Sequence, residues 1–332
     1  MSNIREVAKV AGVSIATVSR ALSNPEKVSE KALKKVQDAI DQIGYKPNML
    51  ARNFRFHRSY AILVLVPDLA NPFFSTVVKG IEDVARKKGF NVLLGDSRDS
   101  LEREQEYLKL IDTRQADGVI QLRPHREGDE STFVGTDFPV VNACGCVGTP
   151  YPSVRIDNAA AQKTVVDYLI SLGHTRIGAI TGLSDNAHSK NRLKGYKAAL
   201  EQAGIPYDDK IVIEGDYSKW SGLNAATQFT HMDHRPTAVV AFNDQMAIGA
   251  VKGFKSAGLS IPEDISVTGF DDLEVAKYID PTLTTIAQPA TELGHTAMNL
   301  LHRMLEGQEL SQQEYILPHE FMVRESTAAP KR

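Results

Sequence analysis

Short apolar runs alternate with longer amphipathic stretches from Ala61 to Phe270, and this alternation leaves few folds open. Ala61–Val66 is six apolar residues in a row, the mark of a strand buried on both faces. Phe73–Lys88 and Glu102–Arg114 have helical spacing, and between and after them Val92–Gly95, Val119–Leu122 and Val140–Asn142 read as strands. A second series starts near Asn158. It predicts helices over Ala159–Leu172, Arg192–Ala203, Ser221–His231 and Gln245–Ala257, with strands over Ile177–Thr181, Ile211–Ile213, Ala238–Phe242 and Ile265–Phe270. Repeated strand–helix units predict parallel sheets covered on both faces, and two series predict two lobes. The end of the chain, Ile286 to Met322, predicts one more helix and one strand.

The first 46 residues follow a different plan. Ile4, Val7, Ala8 and Ala11 fall on one helix face, and Gly12 breaks the helix as a tight turn requires. Ser14 is a good cap for a second helix, with Val13 and Val18 placed as a hydrophobic staple. Val18, Ala21 and Leu22 point inward, leaving Ile15, Ala16, Thr17, Ser19 and Arg20 outside. A third helix begins after Ser29, with Val28 and Leu33 as its staple, buries Leu33, Val36, Ile40 and Ile43, and ends at Gly44. This is the helix-turn-helix plan, whose second helix enters the DNA major groove. Arg20 suits a bidentate contact to guanine, Ile15 and Ala16 suit a thymine methyl, and Thr17 and Ser19 suit phosphates.

Charge distribution points the same way. Residues 1–58 carry 11 Lys/Arg against 5 Asp/Glu, whereas the remainder carries 27 against 36. A basic head on an acidic body is what DNA binding requires. The start of the chain lacks a signal-peptide core and no apolar run approaches membrane-spanning length, so a cytoplasmic protein without a membrane partner is expected. Its two cysteines, Cys144 and Cys146, are expected to be free thiols, because a disulfide across one residue would be strained and no second Cys or His cluster completes a zinc site. Neither metal nor cofactor is expected.

The motifs Val7-Ala8, Ala11-Gly12-Val13-Ser14, Thr17-Val18-Ser19-Arg20 and Gly44-Tyr45-Lys46-Pro47-Asn48 resemble the lactose-repressor family of bacterial regulators. The resemblance covers nearly the whole chain. It implies an all-α helix-turn-helix head and an α/β two-lobed body of the periplasmic-binding-protein type, with parallel sheets. The expected organisation is a DNA-binding domain over 1–46, a hinge over 47–59 and an effector-binding and dimerisation domain over 60–332. Within that domain one lobe takes about 60–157 plus 291–322, and the other takes about 158–290 plus the C-terminal end. DNA contacts are expected at Ser14, Ile15, Ala16, Thr17, Ser19, Arg20 and Asn24. The hinge is too short to hold itself helical. By resemblance it folds on operator DNA, with Ala51 and Arg52 at the groove and Phe54 as an apolar lever between base pairs. Phe54 stands where the family usually has leucine.

In open α/β sheets ligands bind beyond the carboxyl ends of the strands, and two facing sheets make a cleft there. Those ends carry Phe73 and Phe74, Arg192, Tyr217, Asn243 and Asp271. Aromatic walls, one arginine and several carboxylates suit a ring-bearing ligand with hydroxyls. By resemblance the six residues fall on effector-contacting positions. Asp244 is a weaker candidate. Leu65-Val66-Pro67-Asp68 followed by Asn71-Pro72-Phe73-Phe74-Ser75, Gly95-Asp96 and the run Pro281 to Pro289 resemble nucleoside-responsive members. The implied effector is a nucleoside such as cytidine, selected by the polar loop Asp185–Asn191, with hexoses and purines as alternatives. The implied assembly is a homodimer on a pseudo-palindromic operator, induced by the effector and open to a further DNA-bound regulator. Thr327–Arg332 lacks a leucine heptad, so no tetramerising coiled coil is expected. An enzyme or a cytosolic nucleoside-binding protein is the rival class, but the chain has no phosphate loop, no G-x-S-x-G and no metal-spaced histidine pair.

Overall fold

The computed structural model describes residues 3–45, 58–123, 137–144 and 151–331. The chain forms two compact units, residues 1–59 and 60–332.

In the first unit three helices enclose a small core. Helix α1 is Ile4–Ala11, α2 is Ile15–Ser23 and α3 is Glu30–Ile43. Val7, Ala8, Ala11, Val18, Ala21, Val36 and Ala39 are buried together, with Ile4, Val13, Leu22, Val28, Leu33, Ile40 and Ile43 packed around them. Gly12 and Gly44 end α1 and α3 at φ +64° and +59°, the left-handed conformation that favours glycine. Asn3, unremarked in the sequence, caps α1 by accepting the Arg5 and Glu6 N–H groups. Ser29 occupies the cap position of α3, but its side chain makes no capping bond there. A short 3-10 turn, Pro25–Lys27, links α2 to α3.

In the second unit two parallel sheets carry the expected alternation. The first has six strands in the order β11-β5-β4-β3-β1-β2, namely Glu314–Ile316, Ser153–Arg155, Val140–Ala143, Gly118–Gln121, Ala61–Val66 and Asn91–Asp96. The second has four, β7-β6-β8-β9: Val212–Glu214, Ile177–Thr181, Ala238–Ala241 and Ser266–Thr268. Every strand pair in both sheets is parallel. The intervening helices are α4 Pro72–Lys87, α5 Leu101–Asp112, α6 Asn158–Ser171, α7 Ala187–Gln202, α8 Lys219–Thr230, α9 Asp244–Ser256 and α10 Ala290–Leu305. Every residue of Ala61–Val66 is buried, and each large apolar side chain so buried stabilises the fold by roughly 1.5–3 kcal/mol.

Three expectations need correction. Helix α7 starts five residues before Arg192, because Asn186 caps it; most of the polar stretch 185–191 is therefore the helix's first turn and not a loop. The end of the chain contributes more than one strand. After β11, Pro318 cannot donate to the sheet, and Glu320–Met322 (β12) pairs antiparallel with Thr285–Ala287 (β10). The stretch 291–322, assigned as a whole to the first lobe, is thus divided between two sheets. Beyond it the chain runs along the second sheet, where the Val267 N–H donates to the Ser326 carbonyl and His174 bonds Thr237 Oγ1 and the Ala328 carbonyl, both at 2.8 Å. Among the described residues Trp220, the chain's one tryptophan, stands 69% exposed on the first turn of α8.

Helices α4 and α10 meet at two glycines. A Cβ on Gly80 would collide with the Thr291 carbonyl, and one on Gly294 with the Val77 carbonyl. Gly80→Ala is therefore expected to cost about 1–3 kcal/mol, read as a lowered urea midpoint. An unchanged midpoint would show that the two helices can part freely.

Candidate functional site

The outer face of α2 follows from its spacing. Val18 and Ala21 are buried, which turns Ile15, Ala16 and Arg20 to solvent, with Ile15 46% exposed. Thr17 and Ser19 are only half-buried. Ser14 caps the helix by accepting the Thr17 N–H at 3.1 Å, and the two hydroxyls bond each other at 2.9 Å. Asn24 closes the helix, its N–H donating to the Arg20 carbonyl. The surface is small, polar and basic, suited to base edges and phosphates. Ala51, Arg52 and Phe54 lie outside the described residues.

In the second unit a cavity of about 460 Å³ opens at the carboxyl ends of both sheets. All six expected effector residues line it: Phe73, Phe74, Arg192, Tyr217, Asn243 and Asp271. Phe73 is buried and belongs to the core as well, while Phe74 is half-buried and meets it edge-on at 5.3 Å. The pair forms an aromatic wall.

Arg192 faces it from α7. Its guanidinium lies over the Phe270 ring at 3.6 Å, donates from Nε to Asn158 Oδ1 at 2.8 Å and from Nη1 to the Phe242 carbonyl. Asp271 accepts from Gln288 Nε2 at 2.7 Å, and its N–H donates to the Ile286 carbonyl. Burial pushes its carboxyl up to about 8, against the pull of Arg192 and with the help of Asp244. Asn243 accepts the Met246 N–H and donates to the Tyr217 carbonyl, so it fixes the Tyr217 loop as much as it faces the cavity. Asp244 does not line the cavity. Its two oxygens accept from Thr285 Oγ1 at 2.6 Å and from the Leu273 N–H at 2.7 Å, which brace the turn holding Asp271.

Asn158 and Gln288, missed in the sequence, and Asn186 and His188, from the stretch 185–191 expected to select the effector, complete the lining. Asn158 spends its oxygen on Arg192 and donates from Nδ2 to His188 Nδ1 at 3.4 Å. His188 bonds the Cys144 backbone, and burial, reinforced by Arg192, drives its imidazole down to about 3, so it is neutral. A bond from α7 to the end of β4 thus ties one lobe to the other. Asn186 and Gln288 also line the cavity. Their signal was available: both stand where a strand gives way to a helix. Of the eight described non-glycine residues with positive φ, five (Arg98, Asp99, Cys144, Tyr217 and Asp271) line this cavity. Strain of this kind collects at ligand sites.

The Asp271 shift has a defined sign. The unfolded carboxyl titrates near 3.8 and the folded one near 8. Between these values the folded protein holds a proton that the unfolded chain has lost, so stability falls as pH rises through that window. Asp271→Asn removes this proton-linked loss of stability. Its stability relative to the parent is expected to increase from pH 5 to pH 9 in urea unfolding; parallel profiles would show that Asp271 ionises as an ordinary carboxyl.

Residues 3–48 match the model of bacterial regulatory proteins of the lacI family, and residues 166–327 match that of the periplasmic binding protein-like domain. The chain is 38% identical over 330 residues to the HTH-type transcriptional repressor CytR of Escherichia coli (strain K12), covering 99% of this chain and 97% of that one. It is 32% identical to the HTH-type transcriptional repressor PurR of Photobacterium profundum, covering 98% of each. The lac repressor dimer bound to operator and the anti-inducer ONPF superposes with a TM-score of 0.91 at 30% identity, over 99% of both chains. A LacI family regulator from Enterococcus faecium with bound ribose gives 0.73 at 34% identity, over 82% of this chain and all of that one. The chain therefore belongs to the lacI family of bacterial regulatory proteins and is a DNA-binding transcription regulator.

Proposed function

We propose that the protein is a homodimeric repressor that binds a pseudo-palindromic operator and is released from it by a nucleoside such as cytidine. The observation that carries the effector reading is the pairing of an aromatic wall, Phe73 and Phe74, with the buried Arg192 and Asp271 in one cavity of about 460 Å³. The wall suits a base, and the Arg192 guanidinium with the Asp271 carboxyl suits ribose hydroxyls. A ribose-bound relative at 34% identity supports a pentose in such a cavity. In this reading Ile15, Ala16 and Arg20 read base edges, Ser14, Thr17, Ser19 and Asn24 set the helix on the backbone, and Ala51, Arg52 and Phe54 engage the minor groove. The effector shifts the balance between two lobe arrangements, a coupling typically of about 1–3 kcal/mol.

Two variants separate the sites. Arg20→Ala should weaken operator binding by roughly tenfold to a hundredfold while barely changing binding to random DNA, measured by fluorescence anisotropy. Equal loss on both would make Arg20 a backbone contact. Asp271→Ala should keep operator affinity and lose the nucleoside response in footprinting on the DNA upstream of the gene. A response to a hexose or a purine alone, in the parent protein, would replace the nucleoside reading with a sugar or purine one.

A further inference from the structure

We infer that the cavity selects an uncharged ligand and rejects the same molecule once it carries a phosphate. This rests on reading the cavity as a nucleoside site and adds the charge class to it.

Parallel topology aims the N-termini of α4, α6, α7 and α9 at the cavity, and open helix N-termini attract phosphate. Here each is closed by its own chain. At α4, Pro72 has no N–H, Phe73 donates to Asn71 Oδ1 at 3.0 Å, and Phe74 and Ser75 donate to the Asn71 carbonyl. At α6, the Ala159 and Ala160 N–H groups both donate to the carboxylate of Asp157, at 3.1 and 3.0 Å. At α7, His188 and Ser189 donate to Asn186 Oδ1. At α9, Met246 donates to Asn243 Oδ1 and Asp244 to the Phe270 carbonyl.

The side chains lead to the same conclusion. Asp68, Asp96, Asp99 and Asp216 line the cavity in addition to Asp271, and no lysine is among the described lining residues. Burial pushes the Asp216 carboxyl up, but hydrogen bonds from Ser218 and Ser221 outweigh it and hold the group below its ordinary value. The three lining arginines already hold partners on the cavity wall, with the buried Nε of Arg155 left as their one orphaned N–H among the described residues. Arg98 Nε donates to Asp96 at 3.1 Å, and Arg155 donates to Glu314 at 3.2 Å and to the Ile156 carbonyl at 3.3 Å. Arg192 already serves Asn158 and Phe242. A phosphate entering this space would meet the carboxylates of Asp68, Asp96, Asp99 and Asp216 and four capped helix N-termini, with no lysine among the described lining residues.

The test is calorimetric titration of the full-length protein at pH 7.5 with two pairs: cytidine against cytidine 5′-monophosphate, and ribose against ribose 5-phosphate. The uncharged member should bind at least about tenfold more tightly in any pair that binds. The Asp96→Asn/Asp216→Asn variant keeps the Oδ1 acceptor for the Ser218 N–H and releases Arg98, and should narrow that ratio at least about threefold. If ribose binds over its phosphate while cytidine is silent, the nucleoside reading fails and the charge selection stands. A phosphorylated compound that binds as tightly as its partner overturns the proposal. So does a ratio unchanged in the double variant, or the binding of neither uncharged compound.

Discussion

Everything in the second unit depends on one constraint: all strand pairs in both main sheets run parallel. A parallel pair cannot be closed by a tight turn, so each strand must hand over to a helix that returns along the sheet. Strand carboxyl ends and helix amino ends then collect on one side of each sheet. Where two such sides face each other, the chain obtains a cavity without dedicating a separate element to it. The residues there come from many sequence positions, yet most sit at or near the step from strand to helix, with Arg192 reaching in from within α7.

That regularity explains what could be read in advance. Buried strands such as Ala61–Val66 and capped helices such as Ile15–Ser23 announce themselves through composition and spacing, and the six cavity residues were found because they follow strands. Asn186 and His188 fell inside the stretch 185–191 expected to select the effector, but its polarity reads as loop, whereas it is a helix turn that faces a polar cavity. Strands of three residues, Ser153–Arg155 and Thr285–Ala287, carry too little periodicity to be seen. Asp244 was hard to rank because a carboxylate that braces a turn and one that meets a ligand look alike in sequence. Only its bonds to Thr285 and Leu273 decide between them.

Electrostatics in the cavity are organised around Arg192. Arg192 is 5% exposed, its guanidinium stacked on Phe270 and bonded on two sides, so it is a rigid fixture and not a mobile arm. Asp271 lies near this buried cation, which favours its ionisation, but burial outweighs that pull and keeps the carboxyl protonated at neutral pH. The backbone contributes as well: Asp271 is held at φ +124° by its bridge to Ala287, and Tyr217 at +67° under the Asn243 amide. Side-chain charge and backbone strain are therefore concentrated at the same few positions, while the surrounding sheets are apolar and relaxed.

The solvent-facing indole of Trp220 gives the molecule a built-in optical reporter. It is the chain's one tryptophan, and it stands three residues after Tyr217 in the cavity wall. Its helix turn is anchored where Gly222 packs against the Met246 carbonyl, so the backbone that carries the ring is tied to α9. Excited at wavelengths that its ten tyrosines do not absorb, the protein emits from this single, water-exposed position in each chain. A change in its colour or intensity registers events at the amino end of one helix, with no label and no background from a second indole.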